Sequence, residues 1–174
     1  DFYVGKRETG GCREIVPFEL VWLTHVFGPV KEVDCRRTKL SDLPVDIDDI
    51  YMLQMQHENG STGQLIVDVL ARTPVRDLRI TGTEGVIEWD MYEKRLRIFR
   101  ASTKAWETFS FEVGTVEKNY VNPEEPYIEE IRTFLNCIKE KKEPAYNLAE
   151  DRRVLKLLYQ AERSSDEKRR QNAN

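Results

Sequence analysis

The chain has 174 residues, enough to bury a core without metal or disulfide staples. Its 27 Lys and Arg against 31 Asp and Glu leave a net charge of −4, which argues against nucleic acid as a partner. With 33% charged residues and no apolar run of membrane-spanning length, it reads as a well-solvated globular domain off the membrane.

In chain order, residues 1–13 carry glycines and charges without period and read as a lead-in loop. From Glu14 to Phe27, Ile15, Phe18, Val21, Trp22, His25 and Val26 approximate one helical face, with Pro17 in the first turn and Gly28-Pro29 as the stop. The period then changes to two. Strands are expected at Val30–Arg37, around Tyr51–Met55 and Leu65–Ala71, and at Arg76–Gly82, Val86–Asp90, Arg95–Arg100 and Trp106–Val113. Asn59-Gly60 is a hairpin signal, and turns this short require an antiparallel meander. Asn122-Pro123-Glu124-Glu125 reads as a helix start, and Ile128, Ile131, Phe134, Leu135 and Ile138 form the stripe of the helix that follows. Asn147 to Glu150 resembles a capping box for a last helix carrying Val154, Leu155, Leu158 and Ala161. The segment from Ser164 onward lacks a stripe and is expected to fray. The order of elements predicts an α+β domain over residues 1–165, an open, mainly antiparallel sheet with helices on one face, followed by a flexible tail at 166–174.

Most catalytic signatures are missing. Gly60–Gly63 is no nucleophile elbow, Gly5-Lys6 is no phosphate loop, and Gly82–Gly85 joins two strands, so it cannot open a helix onto a pyrophosphate. Cys12, Cys35 and Cys137 are odd in number and scattered, the usage of a reducing, cytoplasmic compartment. With only His25 and His57 beside them, no metal site is expected. The remaining cluster is Lys6, Arg7, Glu8, Arg13 and Glu14 around Gly10-Gly11. It could bind a polyhydroxylated or anionic ligand at a helix N-terminus, or be a solvated turn. His25 reads as a core or interface histidine, His57 as exposed, and Trp22 and Trp89 as core. Cys12 beside Arg13 could have a lowered pKa. Glu14 and Glu19, five apart, do not share a helix face. Ile50, Met52, Ile66 and Leu70 fall on the sheet face turned away from the helices, a surface suited to association.

Gly10-Gly11, Glu14 opening an apolar helix, and Val26-Phe27-Gly28-Pro29-Val30-Lys31-Glu32-Val33 together resemble the start of the C-terminal domain in the Gfo/Idh/MocA oxidoreductases, the relatives of glucose–fructose oxidoreductase and inositol dehydrogenase. The likeness continues through Asn59–Gly63, Ile80–Ile87 and Tyr127–Phe134, and covers the chain from about Thr9 to Ser165. It implies a two-domain enzyme in which NAD or NADP and the catalytic lysine belong to a preceding Rossmann domain, so the chain reads as a fragment, inactive and without cofactor by itself. The chain would supply substrate contacts and the surface for a homo-oligomer. Many members carry an Asp and, four residues later, a His at the start of the first helix. Glu14 and Phe18 stand at those positions, which leaves Glu14 as the catalytic candidate and Lys6, Arg7, Arg13 and Glu14 as candidate contacts to a sugar, sugar acid or nucleotide sugar. The competing reading is a non-enzymatic α+β binding or dimerisation module.

Overall fold

The computed structural model describes residues 2–112, 114–118 and 123–168. The chain divides into two compact units, one formed by residues up to Leu70 together with those from Ala145 onward, the other by Ala71–Pro144.

In the first unit, a short 3-10 turn at Tyr3–Gly5 leads to helix α1, Cys12–Phe27. The helix begins two residues earlier than the periodicity predicts, so Pro17 lies past its first turn. Strands β1 (Val30–Thr38), β2 (Ile50–His57) and β3 (Thr62–Asp68) form an antiparallel sheet in sequence order. Asn59-Gly60 makes the β2–β3 turn as expected, with the Asn59 side chain accepting the Ser61 N–H at 2.9 Å. Helix α2, Glu125–Glu140, belongs to the second unit. The C-terminal helix α3, Leu148–Lys168, returns to the first, capped by Asn147, whose Oδ1 accepts the N–H groups of Ala149 and Glu150 at 2.9 and 3.2 Å. The Glu150 side chain turns to Arg153.

The period-2 pattern decides which sheet face is covered. Tyr51, Leu53 and Met55 point to one side and are buried with Cys35 of β1 and Val67 of β3. Cys12, Val16, Leu20 and Leu23 of α1 and Val154, Leu157, Leu158 and Ala161 of α3 complete this core. The other face pairs Arg36 with Met52 and Met52 with Ile66, and Ile66 is 63% exposed.

The segment from Ser164 does not fray at its start. Helix α3 continues to Lys168 because Ser164 and Ser165 turn toward β1, where their hydroxyl oxygens accept the N–H groups of Cys35 and Arg37 at 2.8 and 3.1 Å. Those bonds satisfy strand donors on the β1 edge, which a polar pattern at that position serves better than an apolar one. Residues 169–174 of the expected tail lie outside the described residues.

In the second unit, β4 (Asp77–Gly82), β5 (Gly85–Asp90), β6 (Arg95–Arg100) and β7 (Ala105–Ser110) form an antiparallel four-stranded sheet, also in sequence order. The antiparallel, open α+β architecture is therefore present, with its strands in two sheets instead of one continuous meander. The expected strand end at Val113 and the cap at Asn122 lie outside the described residues. Helix α2 spans Glu125–Glu140 and has Pro126, not Pro123, in its first turn. Trp22 and Trp89, read as core, are only partly buried. No helix among the described residues is long and apolar enough to cross a membrane.

The two sides of α1 differ sharply. Leu20 is fully buried, whereas Phe18 is 66% exposed. Leu20→Ala is expected to cost about 2–5 kcal/mol of stability by leaving a cavity, and Phe18→Ala to stay within about 0.5 kcal/mol, both measured by urea unfolding.

Candidate functional site

The charged lead-in folds into a specific structure. Lys6 forms a parallel bridge with Asp46, and the Gly10 N–H donates to the Lys6 carbonyl at 2.8 Å. A Cβ at Gly10 would lie 2.0 Å from the Val4 carbonyl oxygen. Gly11, at φ +62°, caps α1, and a Cβ there would lie 3.0 Å from the Asp48 carbonyl oxygen and 3.1 Å from the Ile47 side chain. The double glycine therefore allows close approach of the chain's own backbone. It is not a cradle for pyrophosphate, and Gly82 and Gly85 sit in the β4–β5 hairpin. Neither glycine pair among the described residues fits the phosphates of a dinucleotide.

Most of the lead-in's cations are committed to internal ion pairs. Arg7 donates to Asp48 at 2.6 Å and to Asp46 at 2.7 Å. Arg13 donates to Glu162 of α3 at 2.7 Å, lies over the Tyr159 ring and reaches the Glu8 carbonyl. Arg37 of β1 stands between them, 3.3 Å from Asp48, 3.7 Å from Glu162 and 3.0 Å from both oxygens of Asp166. The Tyr51 hydroxyl donates to Glu162 at 3.1 Å, and burial pushes its pKa up. Asp48 is only 2% exposed. Ions taken this far out of water need partners on several sides, and the two inner carboxylates, Asp48 and Glu162, each have at least two. A cleft of about 570 Å³ opens beside the network, lined by Arg37, Tyr159, Glu162, Arg163, Asp166 and Glu167.

Of the four candidate contact residues, Arg7 and Arg13 thus belong to this network, Lys6 is exposed, and Glu14 is partly buried with the Tyr3 hydroxyl donating to it at 2.8 Å. That bond raises the Tyr3 pKa. Glu14 and Phe18 lie one turn apart, and Ile15, Phe18, His25 and Val26 are exposed on α1. Glu19 accepts the Trp22 indole N–H at 2.6 Å, so it makes no pair with Glu14.

Two single-residue expectations are corrected and a third is narrowed. His25 is exposed and not in the core, because it falls on the outer side of α1, which leaves the interface reading. His57 is buried at 2% exposure, its Nδ1 2.8 Å from the Gly28 carbonyl oxygen and its ring beside Phe27, because it ends the core-facing set of β2. Cys12 has no exposure, its Sγ lies 3.3 Å from the Val67 carbonyl oxygen, and burial pushes its pKa up to about 12. That thiol is no nucleophile. Ile50 and Met52 are half-buried on the outward sheet face with Ile66, whereas Leu70 lies two residues beyond the end of β3. Arg37, Asp48 and Glu162 are missing from the sequence-based candidates. The available signals were a carboxylate on the core face of α3, one residue from Ala161, and an arginine at the core register of β1.

The comparisons with known proteins can now be set beside this geometry. The family model for the GFO/IDH/MocA C-terminal domain matches residues 2–88, from the lead-in through most of β5. The chain belongs to that family. No curated protein matches the sequence. Among solved structures, this GFO/IDH/MocA domain is similar to an oxidoreductase from Agrobacterium radiobacter in complex with NAD+, L-tartaric acid and magnesium, with a TM-score of 0.79, 17% identity, and coverage of 94% of this chain and 49% of that one. It is similar to a levoglucosan dehydrogenase in complex with NADH, with a TM-score of 0.79, 19% identity, and coverage of 96% and 52%. A UDP-N-acetylglucosamine 3-dehydrogenase from Acidithiobacillus ferrooxidans gives a TM-score of 0.70 at 18% identity, with coverage of 96% and 48%. The chain thus spans about half the length of the solved structures it matches. At these identities the likeness is one of fold. Among the described residues no group of three His, Cys, Asp or Glu is placed to hold a metal ion.

Asp49 gives the unit a pH dependence. It is fully buried, which opposes ionisation, but the Ser41 side chain and the N–H groups of Leu40 and Ser41, at 2.7 and 2.9 Å, hold its carboxyl below the usual range. A carboxyl depressed on folding adds stability that is complete above its unfolded pKa of about 3.9 and is lost as pH falls through the folded value. Asp49→Asn is therefore expected to unfold at lower urea than the wild type at pH 6, with the gap narrowing as pH falls below about 4.

Proposed function

We propose that this GFO/IDH/MocA C-terminal domain is the substrate-binding and oligomerisation half of an NAD(P)-dependent oxidoreductase acting on a sugar, sugar acid or nucleotide sugar. The observation that carries the reading is the pair of unlike faces on α1. One closes the core, and the other leaves Ile15 and Phe18 exposed beside Glu14 in the first turns and Val26 exposed in the last. A helix apolar on both sides is made to be covered twice, and the second cover is assigned to a dinucleotide domain with substrate between the two. Two of the similar structures are named as dehydrogenases of a sugar or nucleotide sugar, and two were solved with NAD+ or NADH, which supports the reaction class and the cofactor.

Within that reading the cofactor is held by the other domain and supplies or accepts the hydride. This chain's part is to bind and orient substrate. Glu14 accepts a hydrogen bond from a substrate hydroxyl in place of the one it accepts from Tyr3, and takes up the proton released there. Phe18, four residues on, cannot carry a proton, so it shields the reacting carbon from water. Lys6 offers an exposed cation to an acidic substrate group. Arg7 and Arg13 act one step back, by fixing the lead-in through Asp46, Asp48 and Glu162. The outward sheet face with Ile50, Met52 and Ile66, and Leu70 just past the end of β3, is assigned to a second copy in a two-fold oligomer.

The test has two arms. The chain alone, titrated with NADH by fluorescence, is expected to give no saturable binding, and micromolar saturation would contradict the division of labour. In the two-domain protein, Glu14→Gln is expected to lower kcat/KM at least tenfold, about 1.4 kcal/mol of transition-state stabilisation, with an unchanged melting temperature. Arg13→Ala is expected to lower the melting temperature as well, because it strips Glu162 of its closest cation.

A further inference from the structure

Helix α2 carries an exposed apolar stripe along its whole length. None of its residues is buried, and Tyr127, Ile128, Ile131, Phe134, Leu135 and Ile138 are each between 49% and 61% exposed. Ile128, Ile131, Leu135 and Ile138 follow the 3-4-3 spacing of a coiled-coil seam over its length, with Tyr127 and Phe134 on one flank. The opposite side carries Glu129, Glu130, Thr133 and Asn136. Such a seam wants another helix.

Charge indicates which helix. The N-terminal end of α2 carries Glu124, Glu125, Glu129 and Glu130, and the C-terminal end carries Lys139, Lys141 and Lys142 with Glu140 and Glu143. An antiparallel copy centred on Thr133 would set Ile128 against Ile138 and Ile131 against Leu135. The same register sets Tyr127 against Lys139, Glu125 against Lys141 and Glu124 against Lys142. A parallel copy would instead place acid on acid and base on base. The antiparallel arrangement also opposes the two helix dipoles favourably. Within one copy Glu125 accepts the N–H and hydroxyl of Thr115 and Lys142 is 2.7 Å from Glu140, so pairing would share those contacts with the partner's charges. With large side chains offering about 150–250 Å² each, six residues at this exposure present on the order of 600 Å² per copy. Two copies would bury at most ~1,200 Å², the lower edge of a stable interface.

We infer that α2 is a self-association surface that pairs antiparallel with α2 of a second copy. It rests on α2 alone and is separate from the outward sheet face around Ile66.

The experiment is sedimentation of the chain over a concentration series, in the wild type and with Ile66→Glu to remove association through the sheet face. Two charge variants are compared in each, Lys141→Glu with Lys142→Glu, and Glu124→Lys with Glu125→Lys, and circular dichroism reports their helix content. Each variant alone is expected to self-associate at least tenfold more weakly than the parent. An equimolar mixture of the two is expected to recover association, because each then meets its complement. Ile131→Glu, which keeps both charged ends, is expected to abolish pairing. A parent that stays monomeric to hundreds of micromolar overturns the inference and assigns the stripe to another segment or domain. A mixture no stronger than its components overturns it too, as does pairing indifferent to Ile131→Glu.

Discussion

The ion pair between Arg37 and Asp48, 3.3 Å long and almost out of water, is the contact on which the first unit depends. Through Asp48 it holds Arg7 and the lead-in. Through Glu162 and Asp166 it holds the last turns of α3, and Glu162 in turn holds Arg13 and the Tyr51 hydroxyl. Ion pairs of this kind add little net stability over an apolar packing of the same volume, since desolvation offsets the Coulomb gain. What they fix is arrangement. Four segments from opposite ends of the chain must be present together, or a charge is left buried without a partner.

That arrangement fixes the face of α1 proposed to meet substrate. The lead-in cannot slide along the start of α1 while Gly10 is pressed on Val4 and Arg7 is gripped by two aspartates. Tyr3 is thereby brought to Glu14, and the exposed side of α1 is presented on a fixed base. Positioning from behind suits a substrate site better than contact residues that must also hold themselves in place.

The apolar periodicities of the strands and of α3 were legible in the sequence because they are local, whereas on α1 the expected face of Ile15, Phe18 and Val26 is the outer one and Val16, Leu20 and Leu23 close the core. Alternation identified the core face of β2, the Asn59-Gly60 turn fixed its register with β3, and the spacing of Val154, Leu158 and Ala161 placed α3 on the core. The polar residues were not legible, because their partners are remote. Arg13 and Glu162 are 149 residues apart, so a cluster that reads as a solvated turn becomes the inner half of a network. The same blindness made Ser164 and Ser165 look like a fraying end, when their hydroxyls meet the edge of β1. His57 was misread as exposed, and His25 as a possible core residue, for a simpler reason. The strand's alternation runs one residue further than the apolar run, and α1 carries apolar residues on two sides. Of the candidate site, Glu14 and Phe18 are where the helical spacing put them, while Arg7 and Arg13 serve the scaffold.

The central claim is that this network is buried and mutually dependent, and its most direct test is the unfolding free energy of Asp48→Ala in urea. Removing the shared carboxylate leaves Arg7 and Arg37 facing each other's charge, and a loss of about 3–5 kcal/mol is predicted. Arg153→Ala, which breaks the exposed i, i+3 pair with Glu150 on α3, should cost no more than about 0.5 kcal/mol. A loss for Asp48→Ala as small as that for Arg153→Ala would contradict the account.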